Sequence, residues 1–314
     1  MKRVLVTGAL GQIGSELVTA LRERFGTENV IASDYREPDE DARTACEPFT
    51  RVDVTRRDEL EKAIADHDIG IVYHLAAVLS AVGEQNPQNA WRVNIDGLLN
   101  ILELGREKRL RRIFVPSSIA VFGPETPEDA PQETVLLPRT MYGVTKVTGE
   151  LLGDYYVRKY DLDVRGLRYP GIISSATLPG GGTTDYAVEI FYEALQEGSY
   201  ACFVRPETVL PMMYMPDCIK ATLDLMGADR ADLRHFCTFN VGAMTFSAQE
   251  LAGEIKKHIP AFECTFEPDY RQAIADCWPS SVDDSAARAE WGWNPTYNLE
   301  SMTADMLAKL RARL

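Results

Sequence analysis

The chain is poor in the residues from which metal sites and disulfide frameworks are built. It has four histidines, at 67, 74, 235 and 258, and six cysteines, at 46, 202, 218, 237, 264 and 277. They are dispersed, with no Cys-x-x-Cys and no metal-ligand spacing, so no metal is expected and the thiols are expected to be reduced and mostly buried. Basic residues are also in deficit. Lysine and arginine number 33 against 47 aspartates and glutamates, a net charge of −14 and a pI near 4.8. Such a surface repels nucleic acid and anionic membranes, and neither is an expected partner. No apolar run is long enough to span a bilayer. Lys2-Arg3 with the apolar residues after it imitates a signal peptide, but Thr7 and Gly8 break that stretch at once, and a cytoplasmic location is expected. Repeats and low-complexity linkers are missing too. What is present is ordinary globular composition. The 314 residues are 45% hydrophobic and 25% charged, ample for one large domain and a lobe.

The most informative stretch is Ser117-Ser118 followed by Tyr142-Gly143-Val144-Thr145-Lys146. A Tyr-x-x-x-Lys pair on a helix shares one face, one turn or roughly 6 Å apart. Free tyrosine is a poor base near neutrality, and an ammonium one turn away stabilises its phenolate. A serine hydroxyl at a nearby strand end can hold the reacting oxygen while tyrosine takes or gives the proton. That set suits oxidising an alcohol or reducing a carbonyl, and it needs a hydride acceptor.

The N-terminus offers a place for one. Residues 2–7 read as a buried strand, Gly8-Ala9-Leu10-Gly11-Gln12-Ile13-Gly14 follows, and residues 15–25 read as an amphipathic helix. Glycines at this spacing let backbone N–H groups and a helix N-terminus approach a pyrophosphate. A second strand, Val30-Ile31-Ala32-Ser33, ends at Asp34, 20 residues beyond Gly14, where a carboxylate should take the adenosine ribose diol. It would repel a 2′-phosphate, so NAD is expected over NADP. Arg36 either softens that preference or is a solvated loop arginine. Asp53 either accepts from the adenine amino group or caps the helix expected at 56–65.

Strand and helix signals alternate through residue 170, the pattern of a doubly wound parallel (Rossmann) α/β sheet. Further strands are expected at 51–54, 69–75, 112–116 and 164–168. Helices are expected at 90–107, carrying Asn94, and at 142–159. The glycine loop, Asp34, residues 76–80, Ser117-Ser118 and residues 169–171 all fall at strand carboxyl ends, where open α/β sheets bind ligands. Residues 1–170 are therefore assigned to a nucleotide-binding domain, its sheet completed by a strand near 236–241. Residues 171–314 are assigned mostly to a smaller, discontinuous α/β lobe.

With these residues in view, the chain resembles the extended short-chain dehydrogenase/reductase family over essentially its whole length. The likeness rests on Gly8, Gly11 and Gly14, on Asp34 and Asp53, on Leu75-Ala76-Ala77 and Asn94, and on Ser117-Ser118 with Val121-Phe122-Gly123, Tyr142 and Lys146. It implies Tyr142 as general acid/base, Lys146 as the residue holding the nicotinamide ribose, and Ser118 on the reacting oxygen, with Ser117 as the competing serine. It implies a cofactor set of Gly8, Gly11, Gln12, Ile13, Gly14, Asp34, Asp53, Val54, Leu75, Ala76, Ala77, Asn94, Tyr142, Lys146 and Tyr169. It also implies a homodimer packed through the 90–107 and 142–159 helices.

Members acting on nucleotide sugars carry an arginine shortly before Tyr-x-x-Asp to grip the diphosphate. Here Tyr214 and Asp217 match, but no arginine lies between Pro206 and Asp217, and Arg205 is far upstream. Segments 80–83, 119–124, 178–187, 210–214 and 278–281 instead resemble the epimerase-like members that oxidise the 3-hydroxyl of L-threonine. Gly180-Gly181-Gly182-Thr183-Thr184, running into a helix start, reads either as an anion nest for a carboxylate or as a flexible lid or capped helix start. The substrate set is Ser80, Ser118, Tyr142, Gly180, Thr183, Thr184 and Trp278, the tryptophan walling the pocket or simply packing. A nucleotide-sugar epimerase or dehydratase on the same core is the alternative reading, and a non-catalytic NAD-binding regulator a more distant one.

Overall fold

The computed structural model describes residues 2–40, 46–178 and 180–314. Six parallel strands form the main sheet: β1 (Arg3–Thr7), β2 (Val30–Asp34), β3 (Phe49–Arg51), β4 (Ile69–His74), β5 (Arg112–Phe114) and β6 (Val164–Arg165). Their order is β3-β2-β1-β4-β5-β6. Chain direction across the sheet reverses between β1 and β4, so their carboxyl ends open the crevice in which ligands of such folds sit.

β1 shows why the sheet is covered on both sides. Val4 and Val6 point to one face and Leu5 to the other, and all three are fully buried. Helix α1 (Gln12–Phe25) covers the first face with Leu17, Val18 and Leu21, joined by Cys218, Ala221 and Leu225 of the helix Met215–Gly227. The second face is covered by α2 (Arg57–Asp66), α3 (Gly97–Lys108) and α4 (Met141–Tyr160), through Leu60, Ile64, Leu98, Ile101, Tyr156 and Val157.

The strands expected at 112–116 and 164–168 both end early. Pro116 has no N–H to donate, and the chain re-forms a short strand at Ser117–Ser118. Gly166 lies where an added Cβ would be 2.5 Å from the Val115 carbonyl oxygen and 2.8 Å from that of Cys237. Beyond it, Leu167–Tyr169 pairs with Ser117–Ser118 on one side and Phe239–Asn240 on the other. The chain thus switches from the main sheet into a small three-stranded one directly beneath the crevice. The helix expected at 90–107 is interrupted. Pro87–Trp91 passes into a π-helical turn at Arg92–Asp96 and then into α3. The third strand stops at Arg51, before Asp53.

The remaining residues gather around a separate apolar core of Tyr186, Phe191, Met212, Leu251, Met302 and Met306. Gly171–Ile173, Val209–Tyr214 and Met244–Ser247 form a three-stranded sheet there. The helices Tyr186–Gln196, Ala248–His258 and Leu299–Arg313 enclose it. Among the described residues, no helix is long and apolar enough to cross a membrane.

Candidate active site

The glycine turn is a crowded piece of backbone. Gly8 has φ +69°, in the left-handed region that disfavours a side chain, and a Cβ there would lie 2.7 Å from the Ala76 nitrogen. A Cβ on Gly14 would lie 2.1 Å from the Gly8 carbonyl oxygen. The turn therefore packs strand against helix with nothing between, leaving the first N–H groups of α1 facing the crevice. Asp34, buried at the end of β2, accepts from Leu10 N and Arg36 N at 3.2 Å each. Arg36 is not simply solvated, because its Nε also donates to Asp34 at 3.2 Å. The Gln12 amide nitrogen and the Ser33 hydroxyl are buried here without a hydrogen-bond partner. Two orphaned polar groups beside bare backbone fit a polar ligand lying over Gly8, Gly11, Ile13 and Gly14.

Asp53 caps no helix. Its Oδ1 accepts from Thr55 N at 2.9 Å and Thr55 Oγ1 at 2.8 Å, a local turn, and α2 starts at Arg57 without a side-chain cap. Val54, beside it, is buried. Leu75 and Ala77 line the crevice, and Ala76 presses on Gly8.

The crevice continues past Ser80, Ser117, Ser118, Tyr142, Lys146, Tyr169, Thr183, Thr184, Asp185 and Trp278. Helix α4 is capped by Thr140, whose hydroxyl accepts from Gly143 N at 3.1 Å, and this sets the turn that carries Tyr142. Tyr142 hydrogen-bonds Ser118. Burial pushes its phenol up to about 12 despite that bond. Lys146 Nζ lies 5.3 Å from the centre of the Tyr142 ring and donates to the Pro116 carbonyl at 2.6 Å. Burial lowers its ammonium to about 8, with Glu150 opposing. Burial and the Ser118 bond set the phenol here, and the expected lysine effect on the tyrosine does not show.

The two serines diverge. Ser118 faces Tyr142, whereas Ser117 donates to Glu150 Oε1 at 2.5 Å, behind the crevice. Asn94 also sits behind it, in the π-helical turn. Its side chain bonds Val78 N at 2.8 Å and Thr145 Oγ1 at 3.1 Å, joining the loop after β4 to the turn that holds Tyr142. A π-turn at such a junction is a recurrent device near functional sites. The Tyr169 hydroxyl is committed to Thr222.

The glycine-rich loop departs from expectation. Gly181 N and Gly182 N donate to Asp185 Oδ2 at 2.9 and 2.6 Å. The nest is therefore closed by the chain's own carboxylate, one residue past the sequence motif, because Asp185 begins the next helix and folds back on the turn. Burial raises Asp185 to about 6. A Cβ on Gly180 would lie 3.5 Å from Leu79 Cδ1, and Pro179 lies outside the described residues. Ser80 and Thr183 hydroxyls approach to 3.4 Å. Trp278 both lines the crevice and packs on the neighbouring apolar cores.

Lys146 is the one cation lining the crevice among the described residues. Arg205 is paired with Glu207 and Asp276 at the surface. Asp217 is buried and accepts from Thr296 N and Tyr297 N at 2.9–3.0 Å. Sequence reasoning missed Asp185, Glu150, Arg168 and His74. Glu150 was legible as the next i+4 position after Tyr142 and Lys146. Arg168 and His74 were not, since only tertiary pairing brings them close.

A model of the NAD dependent epimerase/dehydratase family matches residues 4–242. An uncharacterized epimerase/dehydratase of Staphylococcus haemolyticus is 47% identical over 315 residues, covering 100% of this chain and 99% of its own. The holo form of a GalE-like L-threonine dehydrogenase from Cupriavidus necator is 49% identical, with a TM-score of 0.95 over 98% of this chain and 99% of that one. A monomeric L-threonine 3-dehydrogenase from a metagenome is 48% identical, with a TM-score of 0.95 over 99% of both chains. With its six-stranded parallel sheet and tyrosine–lysine crevice, the chain belongs to the NAD-dependent epimerase/dehydratase family, the extended short-chain dehydrogenases/reductases.

Proposed function

We propose that this chain oxidises the 3-hydroxyl of L-threonine with NAD⁺, giving 2-amino-3-oxobutyrate and NADH. The observation that carries the proposal is the charge pattern of the crevice. Beyond the tyrosine–lysine pair it presents hydroxyls and a carboxylate, Asp185, and, among the described residues, no arginine to clamp a diphosphate. That pattern suits a small zwitterion, and two neighbours of nearly half-identical sequence are described as L-threonine dehydrogenases.

In this reading residues 1–170 hold the cofactor and residues 171–314 mostly the substrate. The N–H groups of Gly11, Gln12, Ile13 and Gly14 and the N-terminus of α1 take the pyrophosphate, and Gln12 supplies its unpartnered amide. Asp34 takes the adenosine ribose, with Asp53 and Val54 at the adenine end and Leu75, Ala76, Ala77 and Tyr169 along the base of the crevice. Asn94 acts from behind. Bound NAD⁺ supplies the acceptor for the two electrons and the C3 hydrogen. Lys146 holds the nicotinamide ribose and offsets charge on Tyr142. Ser118 donates to the substrate oxygen, and the Tyr142 oxygen, whose ionisation the Lys146 ammonium and the positive charge of bound NAD⁺ would favour against the effect of burial, takes the hydroxyl proton as C3 is oxidised. Ser80, Thr183 and Thr184 hydroxyls hold the carboxylate, Asp185 pairs with the ammonium, and Trp278 closes the side.

The test is initial-rate NADH formation with NAD⁺ and L-threonine, with L-serine, L-allo-threonine and UDP-glucose in parallel. Saturable NADH production with L-threonine supports the reading. Interconversion of UDP-glucose with no net NADH, the cofactor staying on the protein, would replace it with the epimerase reading.

Asp185 must be ionised to bind an ammonium, and its pKa is raised to about 6. The expected kcat/KM therefore falls as pH drops through about 6. Asp185→Asn should remove that limb and lower kcat/KM at pH 8 by about 10–100-fold, the value of a lost hydrogen bond to a charged group. A limb that persists in the variant contradicts the assignment. At the other end of the crevice, Asp34→Asn should lower the NAD-over-NADP ratio of kcat/KM by at least about tenfold, because the repulsion of a 2′-phosphate is gone. An unchanged ratio contradicts the ribose assignment. Leu99, Val144, Leu151 and Tyr155 are exposed apolar residues on α3 and α4, and we propose a homodimer through them. Light scattering showing a monomer, the state of the metagenomic relative, would reject it.

A further inference from the structure

Tyr142, Lys146 and Glu150 occupy three successive i+4 positions of α4. Glu150 is 4% exposed and does not line the crevice. Its Oε1 accepts from Ser117 Oγ at 2.5 Å and from Arg168 Nε at 2.8 Å, and its Oε2 accepts from Arg168 Nη2 at 2.8 Å. Arg168 is itself fixed, with Nη1 on the Gln132 carbonyl at 2.9 Å and on Asn240 Oδ1 at 3.1 Å. A small cavity behind the crevice is lined by both Lys146 and Glu150. Around Lys146 the titratable or charged groups are Tyr142 and Glu150 on α4, His74 at the end of β4, Cys237 before the strand Phe239–Asn240, and Arg168 beyond Glu150. Burial keeps His74 neutral, near 3, and holds the Cys237 thiol well above its usual range. Asp185 lines the same crevice, but among the described residues Glu150 is the anion whose charge acts on the Lys146 ammonium.

We propose that Glu150 is a positioning residue for the proton-handling pair: held as a carboxylate by Arg168, it keeps the buried Lys146 ammonium charged and, through Ser117, sets the strand that presents Ser118. The proposal rests on the tyrosine–lysine reading above. A bidentate arginine is what lets a carboxylate stay ionised this deep. It also occupies Glu150, so Lys146 feels its field without forming an ion pair and its donors stay available to the Pro116 carbonyl and to the crevice. Ser117 and Ser118 are adjacent, and one pleat turns them to opposite sides. The bond from Ser117 to Glu150 therefore fixes how far Ser118 reaches toward Tyr142.

The experiment is the pH dependence of kcat in Glu150→Gln, which reports ionisations in the substrate complex. Losing the anion makes Lys146 release its proton more easily, so the alkaline limb should move down by about one pH unit. Glu150→Asp, which keeps the charge, should restore most of the limb. A second readout needs no turnover: trace acetylation of Lys146 with acetic anhydride across pH, read by peptide mass, should show the same downward shift in the midpoint of its reactivity. A buried arginine without its partner can destabilise the fold, so the same measurements are made on E150Q/R168Q, whose two amides can still hydrogen-bond. There the shift should keep its direction and be smaller. A folded variant of either kind with both midpoints unmoved overturns the proposal and leaves Glu150 as scaffold. A shifted acetylation midpoint in a protein that does not oxidise L-threonine supports the role of Glu150 and rejects the substrate reading.

Discussion

Tyr142→Phe is expected to lower turnover of L-threonine by on the order of a thousand-fold while leaving NAD⁺ affinity almost unchanged. The phenyl ring keeps the shape and the packing beside Lys146, whose Nζ stands 5.3 Å from the ring centre. What disappears is the oxygen that hydrogen-bonds Ser118 and receives the substrate proton. The glycine turn, Asp34 and Lys146 are untouched, so cofactor binding, followed by fluorescence titration with NADH, should hold. The fold loses about 1 kcal/mol at most, the value of one hydrogen bond, and a thermal melt separates that small effect from the loss of rate. Turnover within tenfold of the parent would remove Tyr142 from the chemistry.

Gly14→Ala is expected to have the largest effect on the cofactor. The added methyl would stand 2.1 Å from the Gly8 carbonyl oxygen and 2.9 Å from the Ala9 Cα. Both are backbone atoms, and no rotamer change relieves the overlap. Either α1 moves away from β1, opening the apolar contacts of Leu17 and Leu21, or the turn at Gly8 shifts against Ala76. Overpacking of this kind costs about 1–3 kcal/mol or more, and in a chain of this size each kcal/mol lowers Tm by about 1.5 °C. Either movement displaces the N–H groups assigned to the pyrophosphate, so the Kd for NADH should rise at least tenfold, roughly the effect of losing one good hydrogen bond to a charged group. Melting and NADH titration check the two halves together. A folded variant with parental affinity would mean that the pyrophosphate lies elsewhere.

The parts of the fold that were legible in the sequence are those encoded by short-range pattern. β1, β2 and β4 carry dense apolar runs, and the glycine turn needs only local geometry, so these strands and the crevice at their carboxyl ends were legible. Tyr142 and Lys146 were legible because helix periodicity alone places them together. Some of the misplaced features depend on contacts distant in sequence, others on how a short turn closes. Gly166 ends one sheet and starts another because the carbonyls of Val115 and Cys237 press against it, and neither neighbour is visible from a window around residue 166. The loop at 180–184 has the composition of an anion nest, and the structure does form one. Its occupant is Asp185, and that choice depends on the turn closing back on the helix start. Ser117 and Ser118 are equivalent in composition. Their division of labour follows from Glu150 and Arg168 waiting on one side of the strand and Tyr142 on the other.

Deuterium at C3 of L-threonine tests the central claim most directly. The protein is incubated with L-[3-²H]threonine and NAD⁺, and the reduced cofactor is isolated and examined by mass spectrometry. If Tyr142 removes the hydroxyl proton as C3 is oxidised, the cofactor carries one deuterium per molecule and the hydroxyl hydrogen is lost to solvent. Reduced cofactor without deuterium, or no reduced cofactor while L-threonine is left intact, would contradict oxidation at C3 and with it the proposed function.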